Sequence, residues 1–529
     1  MKPEETPGFD RMTRRHFTKM AATGTAALSL LSLRAALQAA DAPEPAAVSV
    51  ETMATRYDSK ANVIYLLADQ WRASATGYAG DPNVKTPTLD RLAREGLNFR
   101  NAVSVCPVCT PYRAALMTGR YPTSTGMFLN DAHLPDEELC MAEIFAASGY
   151  TTGYIGKWHL DGSGRSSFVP PERRQGWEYW KAAECDHNYN KSHYYEGASD
   201  TKRYWEGYDA FAQTKAAQEY IREQAKGAKP FVLMVSYGPP HDPYNSAPRE
   251  YNELYPPEKI QLPPNVSKGD IAPFREALQG YYAHCTALDK CVGDILKTLD
   301  ETGIAGNTIL VFTSDHGDML GSHGFRPPQK QVPYAESARV PFLLKYSALG
   351  ARVVKTPLTT PDILPTLLGL CGIQPPKTIE GEDLSGMLRK GEEMDDRAVL
   401  YMGVAPFRGA GPEYRALKTE RYTYVRRFTG TWLLFDDEKD PYQLNDLSRN
   451  PDAAAVVKEL DQRLQAELKK IGDSFRPAQE HLDEWGYNVK AGGSVQYSKD
   501  AKPQTPRRIG GDPPAVATPE PVAADQTKP

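Results

Sequence analysis

Between Asn62 and Gly372, short and almost uniformly apolar runs alternate with segments of helical period. Asn62–Ala68 (NVIYLLA), Thr151–Ile155, Phe231–Ser236 (FVLMVS) and Thr308–Thr313 (TILVFT) are such runs. They predict strands buried on both faces of a mostly parallel sheet. Pro87–Glu95, Tyr112–Met117, Ala210–Gln224 and Phe274–Thr302 read as helices, so an α/β domain with helices on both sheet faces is expected. From about Arg397 the pattern changes. Tyr414–Arg427 and Trp432–Asp436 read as short antiparallel strands, and Ala453–Gly472 as an amphipathic helix. The boundaries expected are a main domain over 43–395, a smaller α+β subdomain over 396–490 and a tail over 491–529. That tail is rich in Gly, Pro, Ala and Thr with few apolar anchors, which predicts disorder.

Composition narrows the function classes. With 529 residues, 40% hydrophobic and 24% charged, the chain is neither disordered, collagen-like nor a polytopic membrane protein. A net charge of −5 with no Lys/Arg stripe gives no footprint for nucleic acid. Seven cysteines, an odd number in a long chain, do not form a disulfide framework. At the N-terminus, Thr13-Arg14-Arg15-His16-Phe17-Thr18-Lys19 precedes a small-residue apolar run from Met20 to Leu33, and Ala40-Asp41-Ala42 offers a cleavage site. Residues 1–42 therefore read as a twin-arginine export signal, with a run too short for the ~20 residues of a membrane span. The expected mature protein begins near Asp41–Ala46 and works in the periplasm or outside a bacterial cell. It passes through export machinery that carries folded protein, so maturation can precede export.

Candidate chemistry collects where the strands end. The four runs lead into Asp69-Gln70, Lys157-Trp158-His159, His241-Asp242 and Asp315-His316-Gly317-Asp318. In open α/β sheets ligands bind beyond the carboxyl ends of strands, so this convergence argues for one catalytic site. The sharpest segment is Cys106-Pro-Val-Cys-Thr-Pro-Tyr-Arg-Ala-Ala-Leu-Met-Thr-Gly-Arg120. Thr110 suits an N-cap, Pro111 the first helical position and Gly119 the stop. That places Cys109 just before a helix N-terminus, favourable for an anion, with Arg113 one turn in and able to reach back. A redox dithiol, half of a zinc site and two buried cysteines are competing readings of the CxxC pair, and no second CxxC or Cys/His spacing follows it.

Cys109-x-Pro111-x-Arg113 followed by Leu116-x-Thr118-Gly119-Arg120 resembles the signature of the type I, formylglycine-dependent sulfatases. Asn62–Gln70, Thr86–Gly96, Gly156-Lys-Trp-His159, Thr313–Gly317 and Tyr334-x-Glu336-x-x-Arg339-Val-Pro341 are similar to that family's further motifs. So is the stretch from Leu434 through Asp440-Pro to Asn445-Asp-Leu447, so the resemblance runs in order over about residues 60–450. It implies the alkaline-phosphatase-like α/β fold, a mostly parallel sheet sandwiched by helices with a smaller α+β C-terminal domain. It also implies that Cys109 is converted to formylglycine (3-oxoalanine) by a maturation enzyme. Cys106 lacks the Pro and Arg of the signature.

The resemblance further implies one divalent cation, usually calcium, at Asp69, Gln70, Asp315, His316 and the modified Cys109. Gln70 and His316 depart from the Asp and Asn that many members carry, which lowers the ligand charge. A thiol would be a soft ligand beside a hard metal. The hydrated aldehyde would instead supply an oxygen nucleophile to attack sulfur and release the alcohol. Arg113, Lys157 and Lys330 would stabilise the hydrate and the sulfuryl oxygens, His159 would act as base when the aldehyde reforms, and His241 as acid for the leaving alcohol. Tyr334, Glu336 and Arg339 are expected to brace the site, and His284, His323 and His481 to be structural or at the surface. The expected substrate is a sulfated carbohydrate, since exported bacterial sulfatases commonly meet glycans. A phosphonate monoester or phosphodiester hydrolase would share the motifs. A non-catalytic glycan-binding protein would not keep all of Cys109, Arg113, Lys157, His159, His241 and Asp315. Finally, Trp177–Phe211 holds ten aromatic residues together with His187 and His193. It reads either as a lid packed on its own rings or as a wall on which a sugar stacks.

Overall fold

A computed structural model describes residues 60–266, 269 and 271–496. The export-signal segment and residues 497–529 lie outside the described residues. The first strand, β1 (Asn62–Asp69), is followed by helix α1 (Pro87–Glu95) and the short β2 (Leu97–Phe99). Next come α2 (Cys109–Thr118) and β3 (Thr151–Lys157), then β4 (Tyr179–Ala183), β5 (His193–Glu196) and β6 (Arg203–Tyr204). Helix α3 (Asp209–Gln224), β7 (Phe231–Pro240), α4 (Ala272–Glu301) and β8 (Thr308–Ser314) complete the central units. Strands β9 (Phe342–Lys345) and β10 (Arg352–Val354) close the far edge.

These strands form one ten-stranded sheet in the order β10-β2-β9-β8-β1-β7-β3-β4-β5-β6. β1 lies parallel between β8 and β7, with Leu66 opposite Phe312 on one side and Val235 on the other. Its side chains alternate between two cores. Val63, Tyr65 and Leu67 enter one, and Ile64, Leu66 and Ala68 the other, all fully buried. Each such Val, Leu or Ile stabilises the fold by about 1.5–3 kcal/mol relative to exposure. That is why the run has no polar face. Helices α1, α3 and α4 cover the second core, and α2 packs into the first.

The C-terminal part is an antiparallel meander of β11 (Ala398–Gly403), β12 (Tyr414–Thr419), β13 (Tyr422–Arg427) and β14 (Gly430–Asp436), crossed by α5 (Ala454–Lys470). Its Leu400, Leu417, Leu434 and Leu464 join the same core as β1 and α2. The described residues include 491–496, where the tail is expected to begin. Val495 is buried, and its N–H donates to the Asn130 carbonyl at 2.9 Å. Among the described residues no helix is long and apolar enough to cross a membrane.

The aromatic segment is resolved by the sheet. Tyr179-Trp180-Lys181-Ala182 alternates in burial as β4, and β5 and β6 extend the edge antiparallel. Trp180 is 1% exposed and stacks on Tyr154 at 5.5 Å, while Trp205 stacks on Tyr194 at 4.0 Å. Packing, not a sugar-binding wall, accounts for Trp180.

Candidate active site

Four strand ends and one helix start meet at one place. β1 delivers Asp69 and Gln70, β3 Lys157 and His159, β7 His241, β8 Asp315 and His316, and α2 Cys109 and Arg113. Lys330 arrives from the loop after β8. None of these ten residues is more than 5% exposed. Around Cys109 Sγ lie Lys330 Nζ at 3.2 Å, His316 Nε2 at 3.4 Å and Asp69 Oδ1 at 3.8 Å. Lys330 Nζ also reaches Gln70 Oε1 and His241 Nε2, both at 3.2 Å, so the loop residue with the fewest sequence landmarks joins the two halves of the site.

The start of α2 differs from the sequence expectation. Cys109 itself is the first helical residue, after an extended Val108. Thr110 is not the cap. Its hydroxyl donates to the His159 carbonyl at 3.1 Å, and its N–H donates to Asn130 Oδ1 at 3.0 Å. Asn130 satisfies one of the helix's free N–H groups from outside the helix. Arg113 also acts differently from the expected reach toward an anion at Cys109. Its Nη2 donates to Asp315 at 3.1 Å and Asp69 at 3.3 Å, and its Nη1 donates to Ser236 Oγ and the Lys157 carbonyl. It clamps two carboxylates that would otherwise repel.

The donor set fits a hard divalent cation. Ligand atoms of Asp69, Cys109, Asp315 and His316 lie within 4.8 Å of one another. The orientation of the other donors is fixed from behind. Gln70 Nε2 donates to Asp318 Oδ2 at 2.6 Å, which turns Oε1 toward the site. His316 Nδ1 sits 2.9 Å from the Gly317 carbonyl, so Nδ1 carries the proton and the Nε2 lone pair faces Cys109 and the carboxylates. The carboxylate and amide oxygens suit a hard divalent cation, beside which the His316 imidazole is a softer donor.

Electrostatics divide the groups. Burial pushes Asp69 up, as does the charge of Cys109, but Lys157 at 2.5 Å, His241 and Arg113 outweigh both and hold it below the usual carboxylate range. Burial and the Asp69 charge raise Asp315. Burial opposes ionisation of Cys109 too, yet Lys157, Lys330 and His316 bring its thiol well below the ordinary value. Cys106 has no such company, and burial pushes it up to about 12. All seven cysteines are free, so the CxxC pair is not a disulfide. His241 is raised to about 9, because Asp69, Asp242 and Cys109 overcome the effects of burial and Lys330.

Several supporting residues were missed from the sequence. Asp131 lies 2.8 Å from His159 Nε2 and is itself held by Arg165. Asp242 lies 3.0 Å from His241 Nδ1. His187 stacks on His241 with centroids 4.2 Å apart. A carboxylate beside a histidine leaves no local pattern when it comes from a loop, although Asp242 was visible as the next residue. The bracing residues sit at the rear. Asn265 Nδ2 donates to Glu336 Oε1 at 2.5 Å, and Arg339 donates to the Arg100 carbonyl. His284 is fully buried and pairs with Tyr208, as expected of a structural residue.

Comparison with known proteins places this arrangement. Residues 61–373 match the Sulfatase family, and residues 321–470 match the N-sulphoglucosamine sulphohydrolase C-terminal family. The chain is 52% identical over 434 residues to the ulvan-active sulfatase of Formosa agariphila, covering 81% of this chain and 85% of that one. It is 32% identical over 479 residues to the endo-4-O-sulfatase of Bacteroides thetaiotaomicron, covering 78% and 93%. A solved structure concerned with glycosaminoglycan metabolism in Bacteroides thetaiotaomicron superposes with a TM-score of 0.72 at 29% identity, covering 80% of this chain and 99% of that one. The protein belongs to the sulfatase family, with the alkaline-phosphatase-like fold. It is a sulfuric ester hydrolase.

Proposed function

We propose that the protein is an exported bacterial enzyme that hydrolyses sulfate esters of a carbohydrate, using formylglycine made from Cys109 and a calcium ion. The observation that carries this reading is Cys109 at the first turn of α2, ringed by Lys330, His316 and Asp69. A bare thiol is a poor match to so many hard, charged neighbours. The ulvan-active and endo-4-O-sulfatase relatives support a sulfated carbohydrate. The twin-arginine string supports export to the periplasm or beyond, and a maturation enzyme and the export machinery are the implied partners.

Asp69, Gln70, Asp315 and His316 would hold the cation. When present, the cation supplies Lewis-acid polarisation of the sulfate oxygens, and formylglycine supplies a hydroxyl nucleophile in place of sulfur. The chain's own groups do the rest. Arg113 keeps Asp69 and Asp315 side by side. Lys157 and Lys330 oppose the negative charge on the sulfuryl oxygens. His241, a cation up to pH of about 9, is held through Nδ1 by Asp242 and directs Nε2 into the site to protonate the leaving alcohol. His159 donates a hydrogen bond from Nε2 to Asp131, which leaves Nδ1, buried and without a hydrogen-bond partner among the described residues, to accept a proton.

The test is the mass of the peptide carrying residue 109, taken from protein made in its native host, alongside turnover of a sulfated-sugar panel. Formylglycine at that position and sugar desulfation are expected. An unmodified thiol in active, exported protein overturns the reading. Faster turnover of an aryl phosphodiester than of any sulfate ester overturns the substrate assignment.

A further inference from the structure

The loop between β11 and β12 comes from the C-terminal sheet but reaches the site. Gln331, next to Lys330, donates through Nε2 to the Ala405 carbonyl at 2.9 Å. Ala410 N–H closes the loop onto the Phe407 carbonyl at 2.9 Å, and its side chain packs with Met319 and Val332. Arg408 N–H donates to the Gly492 carbonyl at 3.2 Å. The loop is therefore pinned at both ends and at its crest. Phe407 is 3% exposed and carries two cations: Lys330 Nζ 5.9 Å from its centroid and Arg408 Cζ 5.4 Å from it. Lys330 is the cation in contact with Cys109. Arg408 is its exposed counterpart beside the same ring.

The other cations around the site are occupied. Arg113 and Lys157 bind Asp69, and Arg165 binds Asp131. Arg408 is exposed and has no carboxylate within ion-pair distance among the described residues. Its field nevertheless reaches the acid's partner. Burial pushes Asp242 up, but the His241 hydrogen bond and the charges of His241, Lys330 and Arg408 hold it at about 2. A pinned loop holds a guanidinium at the rim of an anion-processing site, with its fork of donors unspent.

We propose that Arg408 binds a second anionic group of the substrate, a sulfate or carboxylate on the sugar beside the one being desulfated. This rests on the carbohydrate reading above and narrows it to polyanionic glycans. A sulfate or a carboxylate would satisfy the guanidinium bidentately, and Phe407 keeps the side chain from folding into the site.

The experiment uses the matured enzyme and three disaccharides that share one scissile sulfate. The neighbouring sugar is neutral in the first, sulfated in the second and carboxylated in the third. Arg408→Gln is expected to raise KM about ten-fold on the charged-neighbour substrates, the size of one charge-assisted contact. KM on the neutral-neighbour disaccharide and kcat on all three should stay unchanged. Arg408→Lys should recover part of the loss. Whichever charged substrate shows the larger loss identifies the anion. Equal losses on all three disaccharides, or no loss on any, overturn the inference while leaving the carbohydrate reading intact. Wild-type turnover of an aryl sulfate but of none of the disaccharides overturns the carbohydrate reading, and the inference with it.

Discussion

Replacing Asp242 with Asn removes one of the three groups that raise His241, the others being Asp69 and Cys109. The Asp242 and His241 side chains meet at 3.0 Å, with His241 5% and Asp242 31% exposed. At an effective dielectric near 20, unit charges about 4 Å apart interact by roughly 4 kcal/mol. Partial exposure of the carboxylate and salt screening bring this to about 1.5–2.5 kcal/mol. At 1.36 kcal/mol per unit, the loss is about one to two pKa units. The sign follows from which form is favoured. The carboxylate stabilises imidazolium, so its removal lowers the His241 pKa from about 9 toward neutrality. If His241 donates the proton to the leaving alcohol, activity on a sugar sulfate should fall on the alkaline side at lower pH in Asp242→Asn. An activated aryl sulfate, whose leaving group needs no proton, should show no such move. The assay is kcat/KM against pH for both substrates. An alkaline limb on the sugar sulfate that moves by less than about half a unit refutes the acid assignment to His241, as does an equal move on the aryl sulfate.

Two further perturbations test the scaffold. Arg415 and Asp473 form a fully buried pair, with Nε–Oδ2 at 2.5 Å. Asp473→Asn leaves the guanidinium uncompensated and should destabilise the fold by about 3–5 kcal/mol in denaturant unfolding. Burial raises Asp473, but Arg415 outweighs it and holds the carboxyl below the usual range. Its contribution is therefore present above the unfolded pKa of about 3.9 and lost as pH falls through the lower folded value, and the variant should lack that acid dependence. An unfolding free energy within about 1 kcal/mol of wild type contradicts this account. Trp180→Ala should cost about 3–5 kcal/mol of stability and leave relative rates across a sulfated-sugar panel unchanged. A changed preference would return Trp180 to the substrate wall.

What the sequence revealed depended on whether a signal was local. β1, β3, β7 and β8 were legible because these strands, buried on both faces, carry no acidic, basic or imidazole group until they end, so Asp69, Lys157, His241 and Asp315 stood out as the first departures. The start of α2 was misplaced by two residues. Thr110 and Pro111 look like a cap and first turn, but the capping oxygen comes from Asn130, twenty residues on. Asp131 was invisible for the same reason, and Asp318, seen at the end of β8, gave no sign of its hold on Gln70, since each acts on a residue tens to hundreds of positions away. The aromatic segment hid an alternation that only β4 makes plain, because rings on both faces mask a period of two.

Arg113 shows how local reasoning can find a residue and misjudge its contacts. Its position one turn into α2 pointed to an anion at the helix start. The structure turns it sideways, onto Asp69 and Asp315. Those carboxylates come from strands that flank each other in register, Ala68 beside Ser314, so sheet pairing alone forces two buried acids together. Such a pair needs a cation for charge balance, and Arg113 supplies it from the helix that also carries Cys109. The element that carries Cys109 is thus the one that neutralises the carboxylate pair. Among the described residues Lys330, 3.2 Å from Cys109 Sγ, is left without a carboxylate partner there, which is where charge on a sulfuryl group would have to be met.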